Sequence, residues 1–149
     1  MKKFLTQILS VCAVLAVTSS AALAAAGWEE DYEKAVAQAK AEKKMVLLDF
    51  TGSTWCPPCK ALKREVFSQT EFQEYAKKNL TLVELDFSPY GKPVSKQFEK
   101  AHQKLADDFR ITQFPTVIVL SSEGKKIGQV GYVPGGPKAF IAELEKLKK

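Results

Sequence analysis

Cys56 and Cys59 stand two residues apart in the stretch DFTGSTWCPPCK, residues 49–60, with Pro57 and Pro58 between them and Trp55 just before. Such a pair can serve as a structural disulfide, as half of a metal site, or as a couple that cycles between dithiol and disulfide. A link across so short a loop removes little chain entropy from the unfolded state, which disfavours the staple. A structural zinc site wants about four Cys or His ligands. The sequence holds three cysteines and one histidine in all. Copper carriage usually wants extra methionine or histidine beside the thiols, and the stretch has none. The residue types therefore favour redox work.

The order of residues assigns roles within the pair. A helix is predicted from Pro57, because proline costs little in a first helical turn. Cys56 then caps that helix, where the dipole and free N–H groups favour a thiolate, so Cys56 is the expected attacking sulfur. Cys59, one turn on and expected to be less exposed, is placed to resolve a mixed disulfide. Lys60 adds positive charge beside the cap. His102 lies in a polar helical stretch and reads as a surface residue.

The surrounding pattern predicts the elements that must hold this pair. Residues 28–44 carry apolar side chains near helical spacing (Trp28, Tyr32, Ala35 or Val36, Ala39) and read as an amphipathic helix. MVLLDF, residues 45–50, is a continuous apolar run ending in Asp49 and Phe50, the mark of a strand buried on both faces. Helix follows over residues 57–67, with a break at Ser68, Gln69 and Thr70 before helix resumes. LTLVELDF, residues 80–87, is a second strand, and SPYGKPVS a loop. Residues 95–109 read as a helix with Phe98, Ala101, Leu105 and Phe109 on one side. Residues 115–132 read as a hairpin turning at Glu123 and Gly124. VPGGP interrupts the chain, and residues 138–149 form a last amphipathic helix. Alternation followed by a hairpin predicts an α/β fold, a central mixed β-sheet flanked by helices on both faces.

The length of 149 residues suits one domain and a short extra segment. That segment is the start: Met1-Lys2-Lys3, an apolar run, then SSAALAAAG. This is the three-part pattern of a secretory signal peptide, residues 1–24, ahead of a domain at 25–149. Cleavage near Ala24 would remove Cys12 and leave Cys56 and Cys59 as the only cysteines. The run is shorter than the roughly 20 apolar residues of a membrane span. The net charge of +5 comes from interspersed lysines and acids, a pattern of solubility rather than nucleic-acid binding.

The cysteine pair opening a helix after a buried strand, Trp55 before it, and FPT (Phe114, Pro115, Thr116) opening a later strand together resemble the thioredoxin superfamily. LLDFTGSTWC, KREVF, FQEYAKKNLTLVELDF and GYVPGGPKAFIAELEK look like exported bacterial thioredoxin-like proteins, similar to the C-terminal domain of the membrane disulfide-interchange reductase. The resemblance covers residues 28–149 and implies a thioredoxin-like fold. It implies a cis Pro115 facing the pair, leaving the Phe114 backbone free to pair with an extended substrate segment. Trp55 and Phe114 would form an apolar rim, although an aromatic beside a buried strand can equally be core.

Asp49 corresponds to a buried acid that moves protons for the second cysteine. Here it lies seven residues before Cys56, one more than in thioredoxin, so TGST must bulge and the reach of the carboxyl to Cys59 stays open. Glu84 stands where thioredoxin has a lysine, and would share the proton role or raise the Asp49 pKa; a solvated carboxylate is the alternative for both. GYVPGG either edges the site or turns the chain into the last helix, with the turn favoured.

The function expected is a periplasmic or secreted thiol–disulfide oxidoreductase that needs no cofactor or metal, works as a monomer on protein disulfides, and is recharged by a membrane electron donor. Pro58 denies the Cys56 thiolate one helical N–H, leaving Cys59 as the local donor. That places the potential in the reducing half of a scale from about −270 mV for thioredoxin to about −120 mV for a strong oxidant. The rivals are a disulfide oxidase or isomerase and a non-enzymatic thiol-binding or metal-carrying module.

Overall fold

The computed structural model describes residues 27–148. The expected signal segment, its cleavage site and Cys12 lie outside the described residues. Strand β1 (Trp28–Glu29) leads to helix α1 (Tyr32–Glu42) and strand β2 (Met45–Thr51). Helix α2 (Pro57–Leu62) runs into a π-helical turn, Lys63–Phe67, followed by α3 (Thr70–Asn79) and β3 (Leu80–Asp86). Helix α4 (Glu99–Asp108), the hairpin strands β4 (Thr116–Leu120) and β5 (Lys126–Val130), and α5 (Gly136–Lys146) complete the order.

The five strands form one mixed sheet in the order β1-β3-β2-β4-β5. β2 runs parallel to β3 and antiparallel to β4. Every residue of β2 is buried, as its continuous apolar run requires. Because side chains alternate, Met45 and Leu47 enter one core and Val46, Leu48 and Phe50 the other. The first core is covered by Leu62, Val66, Phe72, Phe140 and Leu144, from α2, α3, α5 and the π turn. The second is covered by Ala35 and Ala39 of α1 and Leu105 and Ala106 of α4. Helices thus lie on both faces, as the pattern predicts.

Several boundaries differ from the sequence reading. The first helix begins at Tyr32, because Asp31 caps it by accepting from the Lys34 N–H at 3.1 Å. Trp28 belongs to an edge strand instead and packs on Phe67, with ring centroids 5.1 Å apart. Trp28 and Tyr32 serve different cores, so their spacing was not one helical stripe. The predicted helix 57–67 widens into the π turn at Lys63, where the Ser68 N–H reaches back to the Lys63 carbonyl. The wider turn lets consecutive Val66 and Phe67 both be buried. α4 starts at Glu99 rather than residue 95, and α5 starts at Gly136, inside the segment read as a break.

Candidate active site

The site grows from the ends of two parallel strands. Thr51 of β2 stands beside Asp86 of β3, and the chain leaves β2 into residues 52–55. The Cys56 N–H returns to the Gly52 carbonyl at 3.0 Å, closing a tight turn. A Cβ at Gly52 would lie 2.5 Å from the Trp55 indole, so only glycine lets the ring fold back this closely. Asp86 fastens the lengthened loop: its carboxylate accepts from the Ser53 N–H at 2.8 Å and from the Ser53 hydroxyl. The Trp55 indole N–H donates to the Phe87 carbonyl at 2.7 Å. The bulge expected in TGST is therefore a clasped turn. Sequence reading missed Asp86; its only signal was an acid at the end of a second strand, which does not say which loop it meets.

Cys56 caps α2 with extended backbone, and Pro57 and Pro58 occupy the first helical turn. Its sulfur accepts from the Cys59 N–H at 3.3 Å, the one local donor that the two prolines leave. Cys56 and Cys59 are joined as a disulfide, with Cα atoms 5.3 Å apart. Cys59 is not the less exposed of the two: Cys56 is 2% and Cys59 3% exposed. In the bonded pair the two residues are buried to nearly the same degree.

Trp55, 37% exposed, meets the Phe114 ring edge to face at 5.8 Å, and Phe114 packs in turn on Phe87 at 5.4 Å. Trp55 thus stays exposed next to Cys56, while Phe114 is half-buried against the α1/α4 core. The Phe114–Pro115 bond is cis. Phe50 pairs with Thr116, so Pro115 stands at the same sheet end as the cysteine loop.

Asp49 is not the end of its strand, which continues to Thr51, and it is not solvated: it is 4% exposed, and its Oδ1 has no hydrogen-bond partner among the described residues. It shares its side of the sheet with Met45 and Leu47, the face that α2 covers. Glu84 is its direct neighbour on β3. Lys63, one helical turn after Cys59, donates to Glu84 at 3.1 Å. Burial pushes the Asp49 carboxyl up to about 8; the Glu84 and Asp86 charges add to the rise, and Lys63 opposes it. Glu84 is half-buried and ion-paired rather than freely solvated.

His102 is a correction. It is fully buried, its Nε2 lies 2.8 Å from the Glu30 carbonyl, and its ring stacks on Phe98 at 5.9 Å. A polar helical context concealed one inward position per turn. Among the described residues no cluster of three or more His, Cys, Asp or Glu could hold a metal. The GYVPGG segment turns the chain: the Tyr132 hydroxyl bonds Glu65 in the π turn, and Gly135 and Gly136 take positive φ to start α5. A cavity of about 340 Å³ between α1 and α4 is lined by Tyr32, Phe98 and Phe109 and includes neither cysteine. No helix among the described residues is long and apolar enough to cross a membrane.

Comparison with known proteins agrees with this geometry. Residues 32–148 match the thioredoxin-like domain family. The disulfide bond reductase DsbH of Chlamydia pneumoniae is 31% identical over 120 residues, covering 80% of this chain and 72% of that protein. The thioredoxin-related protein DsbJ of the same organism is 28% identical over 70% of this chain, but the match spans only 30% of DsbJ. A solved structure of DsbH oxidoreductase superposes with a TM-score of 0.75 at 26% identity, covering 99% of this chain and 94% of that one. The C-terminal domain of DsbD from Neisseria meningitidis shares the fold, with a TM-score of 0.57 at 20% identity over 80% of this chain and 98% of that domain. With its cysteine pair held at a helix cap, the chain belongs to the thioredoxin-like domain family, as a thiol–disulfide oxidoreductase.

Proposed function

We propose that this protein is exported and reduces disulfides of other exported proteins. The observation that carries the direction is the cap. Cys56 sulfur has one local N–H donor, because Pro57 and Pro58 supply none. A thiolate with fewer donors is less stabilised, so the dithiol gives up electrons more readily. The similarity to a protein named as a disulfide bond reductase supports the same direction.

In the forward reaction the Cys56 thiolate attacks one sulfur of the partner disulfide. A mixed disulfide forms, and the other partner sulfur leaves as a thiolate that takes a proton from water. Cys59 gives its proton to the Asp49 carboxylate and attacks Cys56, releasing the second partner thiol and closing the Cys56–Cys59 disulfide. Asp49 is then protonated, in keeping with a carboxyl pushed up to about 8 in the disulfide form. Recharging reverses the proton: a dithiol donor attacks Cys56, and the departing Cys59 sulfur takes the Asp49 proton. Trp55, Phe114 and Pro115 line the approach of the partner. The donor we assign is a membrane interchange protein, with residues 1–24 acting as a cleaved signal and the mature domain acting as a monomer.

Equilibration with glutathione tests the direction. A potential below that of disulfide isomerase, about −180 mV, is expected; a higher value makes the protein an oxidant or isomerase. Cys59→Ser should trap partners as mixed disulfides on Cys56. An empty trap alongside wild-type insulin reduction would reverse the assigned roles. N-terminal sequencing of the exported protein should read from near Ala25.

A further inference from the structure

The loop after β3 is built more firmly than a connection requires. Phe87 bridges Pro93, and the Val94 N–H returns to the Asp86 carbonyl at 2.8 Å. Inside that frame the Ser88 N–H bonds the Lys92 carbonyl at 2.7 Å and the Gly91 N–H bonds the Ser88 carbonyl at 3.0 Å. The Ser88 hydroxyl accepts from the Lys92 N–H. Gly91 takes a φ of +70°, the left-handed turn position that suits glycine. This small, cross-bonded hairpin holds Tyr90 89% and Val94 52% exposed. A rigid loop presenting an aromatic side chain loses little entropy when a partner covers it.

Its position adds a second observation. The Trp55 indole is bonded to the Phe87 carbonyl, so the rim of the cysteine pair and the base of this loop are one continuous surface. Three residues from Phe87 to Tyr90 reach about 10 Å at most. A partner segment laid across the exposed Trp55 toward Cys56 runs beside this loop, because the indole is bonded to its base. Within the loop the charge is one-signed, although Asp86 at its base is tied to Ser53, Glu30 meets Ser95 from outside, and α4 brings Glu99, Asp107 and Asp108 to the groove that Lys92 lines. Residues 87–98 contain Lys92 and Lys96 and no acid. Among the described residues neither lysine joins an ion pair, nor does Lys60 on α2.

We propose that the 88–94 loop is a partner-docking platform for an extended protein segment carrying apolar and acidic side chains about three to five residues from its disulfide cysteine, at about 3.3 Å per residue. Tyr90 and Val94 receive the apolar side chains, and Lys92 and Lys96 receive the acids. This rests on the reductase reading above and names the kind of substrate that reading leaves open.

The test compares three oxidants of the reduced protein: a disulfide peptide with Leu and Glu at those positions, the same peptide with Ser and Lys there, and hydroxyethyl disulfide. Wild type should react about tenfold faster with the Leu/Glu peptide than with the Ser/Lys peptide, a factor one well-buried side chain can supply. Tyr90→Ser/Val94→Ser should lose that preference while keeping the wild-type rate with hydroxyethyl disulfide. Lys92→Ser/Lys96→Ser should lose the part that depends on glutamate. A wild type without preference, or a preference that survives in the Tyr90/Val94 variant, would overturn the platform. So would a parallel fall with hydroxyethyl disulfide, which would mean that the loop supports the cysteine site. A wild-type dithiol that reduces none of the three would instead remove the reductase reading, and the platform with it.

Discussion

Asp49 is buried on the sheet face that α2 covers and His102 on α4, which covers the opposite face, and each keeps one polar atom without a partner among the described residues. Their surroundings differ. His102 is anchored: a carbonyl can only accept, so Nε2 carries the hydrogen toward Glu30. Its ring also stacks on Phe98. Asp49 has no such anchor, and Glu84, Lys63 and Asp86 all act on its charge. A buried polar group fixed by a backbone bond and a ring stack joins two elements. One left loose among charges stays free to exchange a proton. Asp49 lies on the face that carries the cysteine helix, and His102 on the other.

The largest effect that tests this contrast is Asp49→Asn. Positioned acid–base groups contribute about 100-fold or more, so closure and re-reduction of the pair should slow by about 100-fold near neutral pH. Rapid-mixing kinetics with a dithiol donor measures this. Stability should move as well, with a definite sign. The folded carboxyl titrates at about 8, against 3.8 for the free group. Between those values the folded state holds a proton that the unfolded state has lost. The stabilising contribution is complete below the unfolded value and is lost as pH rises toward the folded one. Unfolding of the disulfide form should show stability falling by up to about 1.4 kcal/mol per pH unit across that window, and Asp49→Asn should flatten the slope. An unchanged slope would place the titration elsewhere.

His102→Leu sharpens the other half. Losing the bond to Glu30 should cost about 2 kcal/mol, because that carbonyl is left without its partner. Denaturant unfolding reads the cost, and reduction rates per folded molecule should stay at the wild-type value. A rate loss comparable to that of Asp49→Asn would erase the distinction between the two groups.

The sequence made one of these groups visible and hid the other. Asp49 was marked because it interrupts an apolar run just before a cysteine pair, so burial and chemistry coincide in the pattern. The cap role of Cys56 and the single donor left by the prolines were equally readable, since each follows from local spacing, while Glu84 was marked only by the resemblance to thioredoxin. His102 was misread because its burial depends on the β1–α1 connection, 72 residues earlier in the chain, reaching its ring. Asp86 escaped for the same reason, lying 33 residues from Ser53. The π turn at Lys63, along which Val66 and Phe67 are both buried, also has no sequence mark. Local periodicity reports elements. It does not report which distant loop closes on them.

The smallest predicted effects test whether the charges around Asp49 matter beyond burial. Glu84→Gln removes the neighbouring like charge and should lower the Asp49 midpoint by about one pH unit, the low end of what a nearby charge does to a carboxyl. Lys63→Met removes the opposing cation and should raise it. The lysine side chain is 55% exposed, so solvent and salt screen it and the rise should be about half a unit. Carboxyl-carbon NMR through pH 6–9 resolves both shifts, and added salt should shrink the second more than the first. Opposite displacements would show that β3 and the π turn jointly set the proton affinity beneath α2. Two unmoved midpoints would mean that desolvation alone holds the proton on Asp49. In that case the charged setting that separates it from His102 would have no bearing on the chemistry.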